Sequence, residues 1–226
     1  MISFKGAHFE KDIILTCVRW YVAYPLSYRQ LEELMHERGV AVDHSTIHRW
    51  VLKYAPRLEA AFHRRKRPVS MSWRMDETYI RVRGHWRYLY RAVDKSGQTI
   101  DFLLTEHRDQ PAAMYFLTKA ICRHGVPVTI TLDGSEANAS AVRRYNEVHG
   151  TTITIRQVKY LNNMVEQDHR TVKRITRPML GFKSITGAQS TLAGVELMHM
   201  LKKGQLAVEE GTKGLTPAEQ FYALAA

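Results

Sequence analysis

The sequence predicts an α/β protein preceded by a small all-helical segment, and two observations carry that reading. Between residues 11 and 54 apolar side chains recur every three or four positions, whereas from residue 72 they alternate every second position. Beyond the third alternating stretch, helical and extended patterns take turns, giving the order βββαβαβα for a mixed sheet flanked by helices.

Residues 11–23 predict a helix with Ile13, Ile14, Cys17, Val18 and Tyr21 inward, stopped by Pro25. Ser27 caps a second helix with Gln30 as its reciprocal partner, Leu31, Leu34 and Met35 as its apolar stripe and Gly39 as its stop. Asp43 and Thr46 stand at capping positions for a third, packed by Ile47, Trp50 and Val51 and closed before Pro56. Two short helices joined by a tight glycine-containing turn match a helix-turn-helix. In that arrangement the third helix enters a DNA major groove and presents His44, Ser45, His48, Arg49 and Lys53; an unrelated helical bundle satisfies the same spacing. The run Arg64, Arg65, Lys66 and Arg67 before Pro68 reads as a basic linker, either a solvated tether or a phosphate contact.

Residues 72–82, Trp86 to Val93 and Thr99 to Thr105 predict an antiparallel meander, turned at Arg83-Gly84 and at Lys95-Ser96-Gly97. Pro111 opens a helix with Ala113, Phe116, Leu117, Ala120 and Ile121 inward, ending near Gly125. Val126 to Leu132 is a fourth, apolar strand; a helix over Ala139 to Val148, a strand over Thr152 to Arg156 and a helix from Asn163 follow. Residues 188–203 predict a further helix stopped at Gly204, and Thr216, Pro217 and Glu219 open a short terminal one. The resulting division is a helix-turn-helix segment over 1–62, a basic linker over 63–70, the α/β core over 71–185 and C-terminal helices over 186–226.

At 226 residues the chain supports one sizeable core and one small appended domain. A formal charge of +11 favours a polyanionic partner, and the cations are spread through folded segments instead of lining one amphipathic helix, which favours nucleic acid over a membrane surface. No apolar run reaches membrane-spanning length and the N-terminus lacks a signal-like stretch, so a cytoplasmic protein is expected. Cys17 and Cys122 lie in apolar helical patterns and read as reduced core residues, and none of the eleven histidines shows His-Glu-x-x-His spacing.

The chemistry rests on three carboxylates. Phosphoryl transfer assisted by two metal ions needs clustered hard oxygen ligands holding the ions about 3.5–4 Å apart. Asp76 shares a strand face with Arg74, Thr78, Ile80 and Val82, while Glu77 points the other way with Met75 and Tyr79. Asp76 is the preferred ligand because its shorter side chain holds a metal more rigidly; a strand carboxylate facing water is the plain alternative. Asp133 follows an apolar strand at its carboxyl end, a favourable ligand position, although Asp-Gly is also an ordinary turn. Glu166, Arg170, Lys173 and Arg177 fall within roughly 60° of one another on a helix, a carboxylate followed by cations suited to gripping a DNA backbone. Asp168 falls in the apolar sector with Val165 and Val172 and reads as a buried or edge partner in preference to a metal ligand. Asn163 to Glu166 also has capping-box spacing, and Glu with Arg four residues later is a routine surface pair. Against that, residues 141–185 carry nine Lys or Arg and three Asp or Glu, an imbalance that a merely solvated face does not need.

From Phe4 to Gln205 the chain resembles the DDE transposases of bacterial insertion sequences, in the compact family typified by insertion sequences six and twenty-six. The stretches that carry the resemblance are residues 42–50 (VDHSTIHRW), 75–79 (MDETY), 88–94 (YLYRAVD), 159–163 (KYLNN) and 181–184 (GFKS). The resemblance implies a ribonuclease-H-like catalytic core with Asp76, Asp133 and Glu166 as the acidic triad and metal ligands, and Lys173 as the basic residue one helical repeat on. It also implies two Mg²⁺ ions, replaceable by Mn²⁺, and double-stranded DNA partners in the form of terminal inverted repeats and target DNA. Bringing two ends together requires a homodimer or larger assembly. The implied reaction is 3′-end cleavage followed by strand transfer through direct attack on a phosphodiester, with cointegrate products and no covalent protein–DNA intermediate. One departure stands out: where relatives commonly have Lys-Ala after the second aspartate, this chain has Gly134-Ser135-Glu136, making Glu136 a secondary ligand candidate. The rival readings are a nuclease with the same core that does not join ends, and a catalytically decayed DNA-binding regulator.

Overall fold

The computed structural model describes residues 2–158, 163–207 and 214–225. Its contacts divide the chain into two units, Pro68–Thr171 and a helical unit made of Met1–Arg67 with Val172–Ala226.

The first unit is built on a long hairpin. Strand β1 (Ser72–Val82) pairs antiparallel with β2 (His85–Asp94) in unbroken register from Trp73 opposite Asp94 to Val82 opposite His85. Arg83 and Gly84 close it, both at positive φ (52° and 79°), the conformation in which a two-residue turn follows the strand twist. Strand β3 (Thr99–Thr105) adds antiparallel to β2, while β4 (Thr129–Leu132) and β5 (Thr154–Gln157) add parallel on the far side of β1. The resulting order β3-β2-β1-β4-β5 is the mixed five-stranded, ribonuclease-H-like sheet that the sequence implied. Helices α4 (Gln110–His124) and α5 (Glu136–His149) cover one face. There Trp73, Met75, Tyr90, Ile100, Ile130 and Leu132 pack with Phe116, Leu117, Ile121, Val142 and Tyr145, each large apolar side chain contributing about 1.5–3 kcal/mol. Asp101 is wholly buried on β3 and accepts from Lys119 Nζ (2.8 Å) and Arg123 Nη1 (3.2 Å) of α4. Burial alone would raise its pKa, but the two cations hold it below the ordinary carboxylate value.

Two strands are shorter than the sequence suggests. Strand β4 begins at Thr129, not Val126, because Pro127 has no N–H to give a ladder; Val126 and Val128 are left exposed. Residues 151–153 precede β5 because Asn146 of α5 captures them, its Oδ1 accepting from Thr151 Oγ1 and Ile153 N. Cys122 is exposed, so only Cys17 is the core thiol expected of both.

The helical unit contains α1 (Lys11–Ala23), α2 (Tyr28–His36), α3 (His44–His63), α7 (Ile185–Lys202) and α8 (Pro217–Ala223). Helix α6 (Asn163–Thr176) crosses the boundary between units at Val172. The Ser27–Gln30 capping box forms, as does one between Thr216 and Glu219. Helix α3 does not close before Pro56: it runs on to His63 with Pro56 inside it. An interior proline costs about 3 kcal/mol, and burial of Leu58, Ala61 and Phe62 in the following turns offsets that cost. Nor do the segments expected at 63–70 and 186–226 stand apart. His63 ends α3, Arg65, Arg67 and Lys66 pair through their backbones with residues 205–207, and α7 packs on α1 and α3. A Cβ at Gly194 would stand 2.5 Å from Val22 Cγ1 and 3.1 Å from the Ala55 Cβ, so glycine is what lets α7 approach α1 and α3.

Gly194→Val is therefore expected to overpack this seam and cost about 1–3 kcal/mol, read as a lower thermal midpoint by circular dichroism; an unchanged midpoint would show that the seam relaxes freely.

Candidate active site

Strand alternation sends neighbouring acids of β1 to opposite faces. Glu77 joins the α4/α5 side, buried, where it accepts from Arg108 Nε and from Asn138 Nδ2 at 2.9 Å. Asp76 faces the other side, directly across from Arg91 of β2. Over that side lie the first turns of α6. Arg91, with no exposed surface, donates to Asp168 Oδ2 at 2.7 Å, and His169 Nδ1 lies 3.6 Å from Asp76 Oδ2, an ion-pair distance when the imidazole is charged. Asp168 is thus the buried partner that its position in the apolar sector predicts.

The β1–β4 register places the second acid. Arg74 pairs with Thr131, and two residues further along each parallel strand stand Asp76 and Asp133. Asp133 is exposed just past β4 and also serves its turn, accepting from Ser135 N at 3.0 Å. Glu166 is exposed in the first turns of α6. Asn163 is itself helical, so it is not an N-cap and the Asn163–Glu166 spacing is not a capping box; residues 159–162 of the expected motif lie outside the described residues.

These placements are felt at Asp76. Burial pushes its carboxyl up to about 7, and the charges of Glu77, Asp133 and Glu166 add to that push. Among the described residues no three His, Cys, Asp or Glu side chains stand close enough to chelate one ion. Asp76, Asp133 and Glu166 nevertheless offer an all-oxygen donor set, and a divalent cation relieves the crowding of like charge at Asp76, so these residues fit a hard metal ion in kind.

The remaining candidates separate. Glu136 opens α5 and pairs with Arg143 of the same helix, directed along its own surface. Arg170 is exposed on α6 and Lys173 lies two turns beyond Glu166, past Thr171 where the first unit ends. Arg177 is not on that helix: α6 stops at Thr176 and Arg177 begins a 3-10 turn ending at Met179. On α3, His44, Ser45, His48, Arg49 and Lys53 are all exposed. Asp43 organises this end, accepting from Ser45 N and Thr46 N, and is held well below the usual carboxylate range by the Ser45 and Thr46 hydroxyls and then by those backbone bonds. His44 Nδ1 lies 2.8 Å from Glu32 Oε2, and Arg49 Nη2 donates to Thr46 Oγ1 at 2.7 Å. The α2–α3 connection, residues 37–43, is longer than the tight turn expected. Sequence reading missed Arg91 and His169; the signals were present, as Arg91 lies opposite Asp76 and His169 one turn from Glu166 toward the apolar sector.

Two outcomes follow. Because the folded-state pKa of Asp76 is raised from 3.8 to about 7, the folded metal-free protein retains a proton that the unfolded chain has lost. Its stabilising contribution is complete below pH about 4 and vanishes as pH rises past 7, an effect of up to roughly 4 kcal/mol. Asp76→Asn in chelator is expected to match wild type at pH 4 and to melt higher at pH 8; parallel pH profiles would refute the raised pKa. Asp168→Ala removes the carboxylate that accepts from the buried Arg91 guanidinium and is expected to cost about 3–5 kcal/mol in denaturant unfolding.

The DDE domain family model DDE_Tnp_IS240 matches residues 70–205. The transposase for insertion sequence-like element IS431mec of Staphylococcus aureus (strain N315) is 39% identical over 211 residues, covering 90% of each chain. The transposase for insertion sequence element IS257 in transposon Tn4003 of Staphylococcus aureus matches with the same identity and coverage. Among solved structures, the HTLV-2 integrase catalytic core domain in complex with magnesium (trimeric form) aligns with a TM-score of 0.48 at 14% identity, covering 70% of this chain and 99% of that one. On the family match and the two transposase relatives, the chain belongs to the bacterial DDE transposases of the insertion-sequence-six type, polynucleotidyl transferases that act on DNA.

Proposed function

We propose that Asp76, Asp133 and Glu166 are the metal-binding triad of this transposase, and that the chain cleaves the 3′ ends of its element at terminal inverted repeats and joins them to target DNA by a replicative, cointegrate-forming route. The observation that supports this reading is the gathering of three carboxylates within the DDE-matching region: Asp76 on β1, Asp133 at the end of the adjacent parallel β4, and Glu166 in the first turns of α6, which lie over the Asp76 face. The family's chemistry calls for divalent metal, and two Mg²⁺ ions, with Mn²⁺ as a substitute, suit the oxygen donors; when bound, they supply Lewis-acid activation of the attacking oxygen and stabilisation of the leaving one.

The chain's own residues do the rest. Arg91 holds Asp168 and so fixes the first turns of α6 over the strand that bears Asp76, with Glu166 on the exposed side of the helix. Arg170 and Lys173 then offer cations to the phosphodiester backbone, with Lys173 positioning a phosphate. Arg177, in the 3-10 turn, and Arg64, Arg65, Lys66 and Arg67 add backbone contacts. Inverted-repeat recognition falls to the exposed side of α3 through His44, Ser45, His48, Arg49 and Lys53. Holding two ends at once calls for a homodimer or larger assembly, working in the bacterial cytoplasm on nucleoid DNA. Among the described residues no helix is long and apolar enough to cross a membrane.

Glu166→Gln separates the readings. Supplied with an end-containing duplex, target DNA and Mg²⁺, wild type is expected to yield joined products, and the variant to lose at least about a hundredfold in joining while binding end DNA within about twofold. Full joining by the variant removes Glu166 from the site; hydrolysis without joining by wild type identifies a nuclease, and binding alone a regulator.

A further inference from the structure

The α4/α5 side of β1 does not stay covered along its length. Met75 is 1% exposed and Glu77 8%, but Tyr79 is 45% exposed, and Trp86 on the same face of β2 reaches 60%. The hairpin thus projects past the helices that cover its base. On this projecting face the Tyr79 ring lies 6.2 Å from that of Trp86, edge to face, and 5.5 Å from that of Tyr88. Residues 79–88 contain three aromatic residues, Arg81, Arg83, Arg87 and His85, and no Asp or Glu. Arg81 stands directly opposite Trp86.

We infer that this aromatic face, centred on Tyr79 and Trp86, is a stacking platform for unpaired bases of the DNA substrate. Exposed rings beside Arg81 offer a π surface for bases and charge for the phosphates that link them, while Arg87, on the other face, is engaged by Glu106 at 3.4 Å. A fully paired duplex has its bases already stacked on one another, so ring faces are useful only to unpaired ones. Two copies of this chain meeting through the same patch would instead bring Arg81 of each toward the other, a like-charge approach with no Asp or Glu within residues 79–88 to offset it. The platform begins three residues beyond Asp76 on the same strand, about 10 Å along it and on the opposite face of the sheet. It would accept a strand displaced from the paired end, next to where phosphoryl transfer is proposed. The inference rests on the chain acting on DNA, but not on the assignment of the triad.

The test measures binding of the full chain, by fluorescence anisotropy, to two labelled end duplexes of equal length, one fully paired and one with a short unpaired tract. Wild type is expected to prefer the unpaired tract. Trp86→Ala and Tyr79→Ala should each weaken that complex about fivefold or more, the range that loss of one base–aromatic stack gives, with paired-duplex affinity unchanged; Trp86→Phe should retain most of the preference. Equal binding of both DNAs by wild type, or an alanine variant that binds the unpaired tract as wild type does, overturns the platform while leaving duplex binding and the transposase reading intact. A change in oligomer size by light scattering with DNA affinities unaltered also overturns it, in favour of an interface between copies.

Discussion

The two-residue period of β1 is the constraint on which the rest of the first unit depends. Successive side chains must leave the sheet on opposite sides, and the unbroken pairing from Trp73 to Val82 leaves no bulge to relax that rule. Trp73 and Met75 therefore anchor the core under α4 and α5, while Arg74 and Asp76 turn toward α6. Two adjacent carboxylates become two different chemical objects. Glu77 is saturated by Arg108 and Asn138 and ties the strand to the segments around α4 and α5. Asp76 meets other carboxylates instead, and its proton becomes hard to remove.

Buried charge in this protein accordingly comes in two forms. Asp101 with Lys119 and Arg123, and Asp168 with Arg91, are matched groups whose hydrogen bonds offset desolvation. They fix the positions of α4 and of the first turns of α6. Asp76 is the conflicted case: His169 stands 3.6 Å away, but burial and the charges of Glu77, Asp133 and Glu166 make ionisation costly. Proteins tolerate such local conflict where function needs it and the surrounding packing can bear it. Here the bearing structure is the layer of Trp73, Tyr90, Phe116 and Val142 on the other face of the sheet.

The helical unit obeys a different constraint, the close approach of three helices at Gly194. With no side chain there, α7 comes within contact of Val22 and Ala55, so a segment nearly two hundred residues along the chain completes the core begun by α1 and α3. That packing also explains why Pro56 fails to end α3: the helix continues because its next turns have apolar surface to bury.

By itself the sequence determined what depends on neighbours a few residues apart. The switch of period at residue 72, the Arg83-Gly84 turn, the caps at Ser27 and Thr216, the opposite directions of Asp76 and Glu77 and the inward position of Asp168 are all local consequences of strand and helix geometry. The antiparallel meander of the first three strands was legible too, since short connections force antiparallel neighbours, whereas the placing of β4 and β5 beside β1 was not. Tertiary structure decided what depends on residues distant in the chain: the continuation of α3 through Pro56, the shortening of β4 and β5, the exposure of Cys122 and the joining of α7 to the N-terminal helices. It likewise supplied Arg91 as the counter-ion of Asp168 and brought His169 near Asp76, and it left Tyr79 and Trp86 uncovered. The physical reason is common to all of these. Backbone propensity and side-chain direction are fixed within a turn or a strand, whereas burial and charge pairing exist only once segments far apart in sequence have packed.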